Sequence, residues 1–218
     1  MMRMIRLSRR ALLLGMTIPD RELSAWTGFR ANDLPDARLL DQDNRPRRFL
    51  SDVLAQRRAV VIELIFGGCQ SICPISTRIM AEAREALGSI GNDILSVSLT
   101  LDPANDTPET LRNYVTKADL PSLAAAVEKG DWVFLTGRPR EVQSLLSALR
   151  LRFGHPDDHS AIFFVGDGRT RSLTRLVALP PVCELGAVMR AAAQAPRGTG
   201  ADGSLIDKAI RDAALTAC

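Results

Sequence analysis

The sequence is poor in aromatic residues, cysteines and histidines. Aromatic residues make up 5 % of the 218 residues, and the chain holds four cysteines and two histidines. Four scattered cysteines are too few for a small domain that is held together mainly by disulfides. No basic stripe interleaved with aromatic residues occurs in the middle of the chain, and we therefore expect no nucleic-acid partner.

The apolar run near the N-terminus is too short to cross a bilayer, which takes about 20 residues. ALLLGMTI, residues 11–18, follows a basic start with four arginines, and SRRALLLG resembles the twin-arginine export motif. A secretory signal also needs a small-residue cleavage site, which is poor here. We expect residues 1–26 to form a signal-like or anchor segment, and an ordinary basic N-terminal segment is the alternative.

The rest of the chain alternates between strand and helix patterns. AVVIELIF, residues 59–66, is a continuous apolar run with one Glu, which is typical of a strand buried on both faces. The remaining patterns predict strands over 37–40, 47–49, 93–101, 132–136, 160–165 and 172–178, and helices over 52–56, 74–87, 108–117, 139–150 and 183–193, with a weak helix over 205–214.

Local signals mark several of these boundaries. Ser51 is predicted to cap the short helix over 52–56, and Thr107 followed by Pro108 predicts the start of the helix over 108–117. The helix over 74–87 has apolar residues every four positions, at Ile75, Ile79, Ala83 and Leu87. This spacing predicts that these four residues share one face.

Strands that alternate with helices imply crossover connections and a partly parallel sheet. An antiparallel hairpin and a closing helix at the end of the pattern are typical of thioredoxin-like proteins. We therefore predict an α/β, thioredoxin-like fold, in which a central mixed sheet is flanked by helices and preceded by a strand pair. The domain is expected over 27–194, and 195–218 is expected to form a flexible C-terminal tail.

FGGCQSICPIST, residues 66–77, places two cysteines where the apolar strand meets the next helix. The first amides of a helix are unpaired and carry partial positive charge, which favours a thiolate. We therefore expect Cys73 to have a lowered pKa. Gly67 and Gly68 would let the backbone turn tightly and leave both sulfurs accessible. A structural disulfide between Cys69 and Cys73, or simple filling of space, is the alternative.

The C-x-x-x-C spacing is one residue wider than a C-x-x-C redox motif. Both sulfurs of Cys69 and Cys73 could then face one point, with a third ligand from elsewhere. The candidates are the two histidines of FGHPDDHSAIFFV, of which we favour His159 over His155. Two thiolates and an imidazole suit copper, and Cu(I) in particular. Asp158 could orient the imidazole as a hydrogen-bond partner that does not itself bind the metal.

The other cysteines and an acidic stretch have ordinary structural interpretations. Cys183 is predicted in the core, and Cys218 is predicted to be an exposed thiol. Asp102, Asp106 and Glu109 lie close enough in sequence for an acidic metal loop, but we favour a turn and a helix cap.

Four motifs, FGGCQSICPIST, LDPANDTPETLRNY, DWVFLTG and DHSAIFFVGDGR, occur in this order. Together they resemble the SCO1/SenC family of copper-binding, thioredoxin-like proteins, and the similarity covers about residues 37–192. The resemblance implies that Cys69 and Cys73 of the C-x-x-x-C-P motif and His159 of the D-H-S segment bind copper as Cu(I) or Cu(II). Gln70, Ser71 and Ile72 stand where the family commonly has Pro and Asp.

The resemblance also implies a function. It indicates a copper metallochaperone, an assembly protein more than an enzyme, that serves the dinuclear copper site of cytochrome c oxidase or a related copper enzyme. The partners would be a copper acceptor such as cytochrome c oxidase subunit II and a copper donor chaperone. The location would be extracytoplasmic, in the bacterial periplasm, with an exported or membrane-anchored N-terminus. The alternative is a thiol–disulfide oxidoreductase in which Cys69 and Cys73 are the catalytic pair and reduce cysteines of the copper acceptor.

Overall fold

The computed structural model describes residues 27–30, 34–152, 160–170, 172–195 and 204–218. These residues form eight strands and six α-helices. The strands are β1 (Thr27–Arg30), β2 (Arg38–Asp41), β3 (Pro46–Arg48), β4 (Ala59–Ile65), β5 (Ile94–Thr100), β6 (Trp132–Gly137), β7 (Ile162–Asp167) and β8 (Ser172–Val177). The helices are α1 (Ile72–Ala86), α2 (Pro108–Lys117), α3 (Pro121–Glu128), α4 (Pro139–Ala148), α5 (Val182–Gln194) and α6 (Ser204–Thr216). Short helical segments occupy Phe49–Leu54 and Gly88–Asp93.

The strands form one mixed sheet in the order β1-β8-β7-β4-β5-β6-β2-β3. β4, β5 and β6 run parallel, because helices connect each to the next, whereas β7 pairs with β4 antiparallel and forms a hairpin with β8. The β8-β7-β4-β5 core, with α1 and α5, is the predicted thioredoxin-like arrangement. The predicted fold class is therefore confirmed.

β4 is the central strand, and all seven of its residues are buried. Successive side chains of a strand point to opposite faces of the sheet. Val61 and Ile65 join the apolar cluster under α1 and α5, whereas Ile62 and Leu64 join the cluster under α4. Glu63 therefore lies on the same face as Val61, beneath α1. The apolar run AVVIELIF predicted this strand correctly.

The predicted N-cap of α2 is confirmed, whereas the predicted N-cap of the short helical segment before β4 is wrong. The hydroxyl of Thr107 accepts the backbone N–H of Thr110 at 3.1 Å, as predicted for a helix that begins at Pro108. The short segment begins at Phe49 instead of 52, and Ser51 does not cap it. A distant carboxylate, that of Asp36, accepts the N–H groups of Leu50 and Ser51.

The buried face of α1 agrees only in part with the predicted face, since Ala83 and Leu87 are buried as predicted. Ile75 is 50 % exposed and Ile79 is only partly buried, whereas Thr77 and Met80 lie in the core. The four-residue spacing misled the prediction, because the face is partly polar where it packs over Glu63. A further helix, α3, has no counterpart in the sequence predictions, although Leu123 and Ala126 are buried.

The weak helix predicted over 205–214 is confirmed as α6, but the segment is not the flexible tail that was expected, because it packs on the domain and is joined to it by a disulfide. α6 packs against α5 and β8, and Ile206 and Ile210 are buried. Cys218 forms a disulfide with Cys183, and both residues are exposed. The prediction of a core Cys183 is therefore wrong, and Cys218 is exposed as predicted but is not a free thiol.

The predicted N-terminal segment, residues 1–26, lies outside the described residues. Of the helices that the structure describes, none is long and apolar enough to cross a bilayer.

Candidate metal centre

The loop between β4 and α1 and the first turn of α1 carry the two reduced cysteines. The backbone N–H of Cys69 donates to the carbonyl of Phe66 at 3.1 Å, which closes a tight turn over Gly67 and Gly68. α1 begins at Ile72, so that Cys73 lies in its first turn. Both thiols are free, as a site for soft metal ions or thiol exchange requires.

The structure brings Cys69 and Cys73 together. The backbone N–H of Cys73 donates to the sulfur of Cys69 at 3.4 Å. The hydroxyl of Ser71 lies 3.7 Å from the same sulfur. One of the unpaired amides at the start of α1 therefore stabilises the preceding cysteine.

The two thiols have opposite pKa shifts. Burial tends to raise the pKa of Cys69, but hydrogen bonds from Cys73 and Ser71 outweigh burial, and the pKa lies below its ordinary value. Burial raises the pKa of Cys73, and the contact with Cys69 raises it further. The prediction of a lowered pKa for Cys73 is therefore wrong, because Cys73 is buried and the helix-start amide donates to Cys69.

The two sulfurs also differ in accessibility. Cys73 is fully buried, whereas Cys69 is 9 % exposed and lines a cleft of about 790 Å³ between α1 and α2. The expectation that Gly67 and Gly68 leave both sulfurs accessible is therefore wrong for Cys73. A partner approaching through the cleft meets Cys69 first.

Asp106 ties the cysteine loop to the loop before α2. Its carboxylate accepts the N–H of Gly67 at 2.8 Å and the hydroxyl of Thr100. Asp106 is buried, and burial raises its pKa against the opposing effect of these hydrogen bonds. The acidic stretch therefore forms a turn, as favoured from the sequence, but the role of Asp106 in positioning Gly67 was missed.

A second buried carboxylate, Glu63, lies beneath α1. It accepts hydrogen bonds from Ser76 and Thr77 at 3.0 Å and from Ser98 at 2.7 Å. Thr77 is also 2.9 Å from the hydroxyl of Tyr114, which lines the cleft. Burial raises the pKa of Glu63 to about 7, against the opposing effect of these three hydroxyls. The single Glu within AVVIELIF was the sequence signal for this group.

The predicted third ligand lies outside the described residues. His159, His155 and Asp158 all fall within 153–159, and their roles stay predictions. Among the residues that the structure does describe, no group of three or more His, Cys, Asp or Glu side chains could hold a metal ion. The described part of the site thus contains two candidate sulfur ligands, Cys69 and Cys73.

The fold and this loop define a thioredoxin-like protein with a reduced cysteine pair where the central strand meets its helix. The family model described as SCO1/SenC matches residues 38–188. The chain therefore belongs to the SCO1/SenC family.

A curated relative is similar to this chain in sequence, and two solved structures are similar to it in fold. A SCO2-like protein of Rickettsia felis is 33 % identical over 107 residues, which cover 48 % of this chain and 51 % of that protein. A SCO1/SenC family lipoprotein from Bacillus anthracis has a similar fold, with a TM-score of 0.60, 20 % identity and coverage of 80 % of this chain and 99 % of that one. Arabidopsis thaliana ScoI, solved with copper bound, gives a TM-score of 0.55, 18 % identity and coverage of 87 % and 99 %. The chain spans about half the length of the first curated relatives it matches.

Proposed function

We propose that this protein binds one copper ion through Cys69, Cys73 and His159 and delivers it to a copper enzyme. The observation that carries the proposal is the contact between the two reduced cysteines, in which the N–H of Cys73 donates to the sulfur of Cys69. Membership of the SCO1/SenC family and the copper-bound state of the similar Arabidopsis thaliana ScoI support it.

The direction of β7 supports the choice of His159. β7 is antiparallel to β4, and Phe163 pairs with Glu63. The start of β7 therefore lies at the edge where β4 ends and the cysteine loop begins. His159 directly precedes Ser160, from which the described chain continues into β7. An imidazole added to two thiolates gives a donor set that suits copper, and Asp158 would orient that imidazole.

The family resemblance indicates the acceptor. We infer delivery to the dinuclear copper site of cytochrome c oxidase, on subunit II, after loading by a copper donor chaperone. The Cys183–Cys218 disulfide supports an extracytoplasmic location, because such bonds persist in oxidising compartments such as the bacterial periplasm. An exported or membrane-anchored N-terminus would be consistent with that location.

A thiol–disulfide oxidoreductase is the second candidate, favoured by the opposite pKa shifts of the two thiols. A thiolate at Cys69 would attack a disulfide of the partner, and one partner sulfur would leave as a thiol. Cys73 would then displace the second partner sulfur and form a Cys69–Cys73 disulfide. In this reaction His159 has no required role, which separates the two candidates.

Copper titration of the purified, reduced protein tests the first candidate. In competition with a chromophoric Cu(I) chelator, the parent should retain about one Cu(I) per chain, as expected of one thiolate–imidazole site. Cys69→Ala should lose tight Cu(I) binding, and His159→Ala should lose most Cu(II) retention.

His155→Ala is the matched control, because it removes the other histidine of the same sequence segment. It should bind Cu(I) and Cu(II) as the parent does. If His159→Ala bound both Cu(I) and Cu(II) as tightly as the parent, the three-ligand site would be wrong. Full activity of that variant in reducing a disulfide-bonded acceptor would favour the oxidoreductase.

A further inference from the structure

The cleft beside Cys69 has different side chains at its two ends. Its walls are formed by successive turns of α1 and of α2, and its volume is about 790 Å³. The side chain of Thr110 reaches the cysteine loop, because a Cβ on Gly67 would lie 2.6 Å from its methyl group. Thr110 therefore marks the end of the cleft where Cys69 lies.

Two cations line the cleft away from the cysteine. Arg78 comes five residues after Cys73 on α1, and Lys117 comes seven residues after Thr110 on α2. At about 1.5 Å per helical residue, they lie roughly 7 to 10 Å beyond the cysteine end. Cys69 and the two cations therefore occupy opposite ends of one cleft.

The charges of Arg78 and Lys117 are not neutralised within the described parts of the chain. Both side chains belong to exposed residues, neither forms an ion pair with a described residue, and no described acidic residue lines the cleft. Between the two ends, Ile75 of α1 is 50 % exposed, and Leu120, which follows α2, also lines the cleft. The cleft thus offers a sulfur, an apolar middle and a cationic end.

We propose that this cleft docks an extended segment of the partner protein, with a cysteine at the Cys69 end and a carboxylate about three residues away. An extended chain advances about 3.3 Å per residue, so three residues span the separation between the sulfur and the cations. The carboxylate complements Arg78 and Lys117, and an apolar side chain between the two groups covers Ile75. This partner chemistry deepens the proposed function and rests on it, since the docked cysteine is where copper or a disulfide bond is exchanged.

Exchange with short peptides tests this recognition without copper. Three peptides each carry one cysteine as a mixed disulfide with glutathione. The first has a glutamate three residues before the cysteine, and the second has a glutamate three residues after it. The third has glutamine at both positions. The sulfur of Cys69 attacks the peptide sulfur, the peptide–glutathione bond breaks, and glutathione leaves as a thiol with a proton from water. A Cys69–peptide disulfide forms, and the rate of glutathione release measures the step.

At least one glutamate peptide should react about tenfold faster than the glutamine peptide, the effect expected of two exposed ion pairs. The advantage should shrink at about 0.5 M salt, because salt screens exposed charges. Arg78→Glu combined with Lys117→Glu should abolish or reverse it. Arg140→Glu combined with Arg211→Glu is the matched control, since it makes the same charge change at exposed positions of α4 and α6 and should preserve the advantage.

Equal rates for all three peptides in the parent would overturn the proposal, as would equal loss of the advantage in both double variants. Copper titration of the Arg78→Glu and Lys117→Glu variant should give the parent result, because neither cation is a copper ligand. A failure of the proposed function appears as absent copper retention in the parent, and a failure of the docking proposal appears only in the peptide rates.

Discussion

The two cysteine pairs of this chain differ in almost every physical property. Cys69 and Cys73 are four positions apart, reduced and buried at the strand–helix junction. Cys183 and Cys218 are 35 positions apart, exposed and joined by a disulfide. Cysteine therefore occurs as a pair of free thiols in one region and as a disulfide in the other.

The surroundings explain the difference. The reduced pair is held by a helix-start amide, by Asp106 through Gly67, and by packing on the face of the sheet where Glu63 lies. The disulfide instead joins the first turn of α5 to the chain end that follows α6. The first pair thus stays free, with Cys69 at a cleft, whereas the second pair links two elements covalently.

Removal of the disulfide should give the largest effect on stability. A closed loop of 35 residues lowers the entropy of the unfolded chain, and Cys183→Ser with Cys218→Ser should lower the free energy of unfolding by about 4 kcal/mol in the chain-entropy model. Urea unfolding of the oxidised proteins measures the difference. Copper retention should not change, because the two pairs act independently.

Cys69→Ser is the control from the other pair, and it should change the free energy of unfolding by less than about 1 kcal/mol, as for a small, isosteric change at the edge of the core. Equal stability of the parent and the Cys183→Ser, Cys218→Ser variant would contradict a stabilising role for the disulfide.

The next effect concerns the carboxylate beneath the reduced pair. The pKa of Glu63 is raised by burial from 4.5 to about 7 on folding. Between these pH values the unfolded chain releases the proton and the folded chain keeps it, so rising pH favours unfolding. The contribution of Glu63 is complete below about pH 4.5 and is lost as the pH rises through 7, a loss of about 3 kcal/mol.

Glu63→Gln should therefore make the free energy of unfolding less dependent on pH between pH 5 and pH 8, as measured by urea unfolding at both values. Glu82→Gln is the matched control on α1, where the side chain is exposed. The same pH dependence in Glu63→Gln and the parent would show that Glu63 does not titrate in this range.

Sequence patterns predicted the elements around the reduced pair because their signals are local. AVVIELIF is apolar except for one Glu and became the buried β4. Thr107 and Pro108 start α2 where expected, since a cap depends on neighbours within one turn. The position of Cys69 and Cys73 where β4 meets α1 followed from these boundaries.

The errors arose where distant residues decide the outcome. Asp36 replaces Ser51 as the group that accepts the first amides of the short helical segment, from 14 positions away for Leu50. The partner of Cys183 lies 35 positions away, and no spacing rule could select it. The pKa of Cys73 is raised first by burial and then by its contact with Cys69, and both depend on a loop geometry that sequence alone does not define.

The smallest of the three effects concerns the glycine that lets the cysteine loop approach Asp106. A Cβ on Gly67 would lie 2.6 Å from the methyl group of Thr110 and 2.7 Å from Oδ1 of Asp106. Gly67→Ala should therefore cost about 2 kcal/mol of unfolding free energy, the usual cost of overpacking, and should displace the loop that holds Cys69.

Gly68→Ala is the matched control, because its Cβ would meet the ring of Phe66 at an ordinary 3.6 Å. It should be nearly neutral in urea unfolding and in the rate at which iodoacetamide alkylates Cys69. Thr110→Ser removes the clashing methyl group and should restore part of the stability lost in Gly67→Ala. Equal stability of the two alanine variants would mean that the loop does not need this close approach, and that Asp106 holds the reduced pair less tightly than its hydrogen bond to Gly67 indicates.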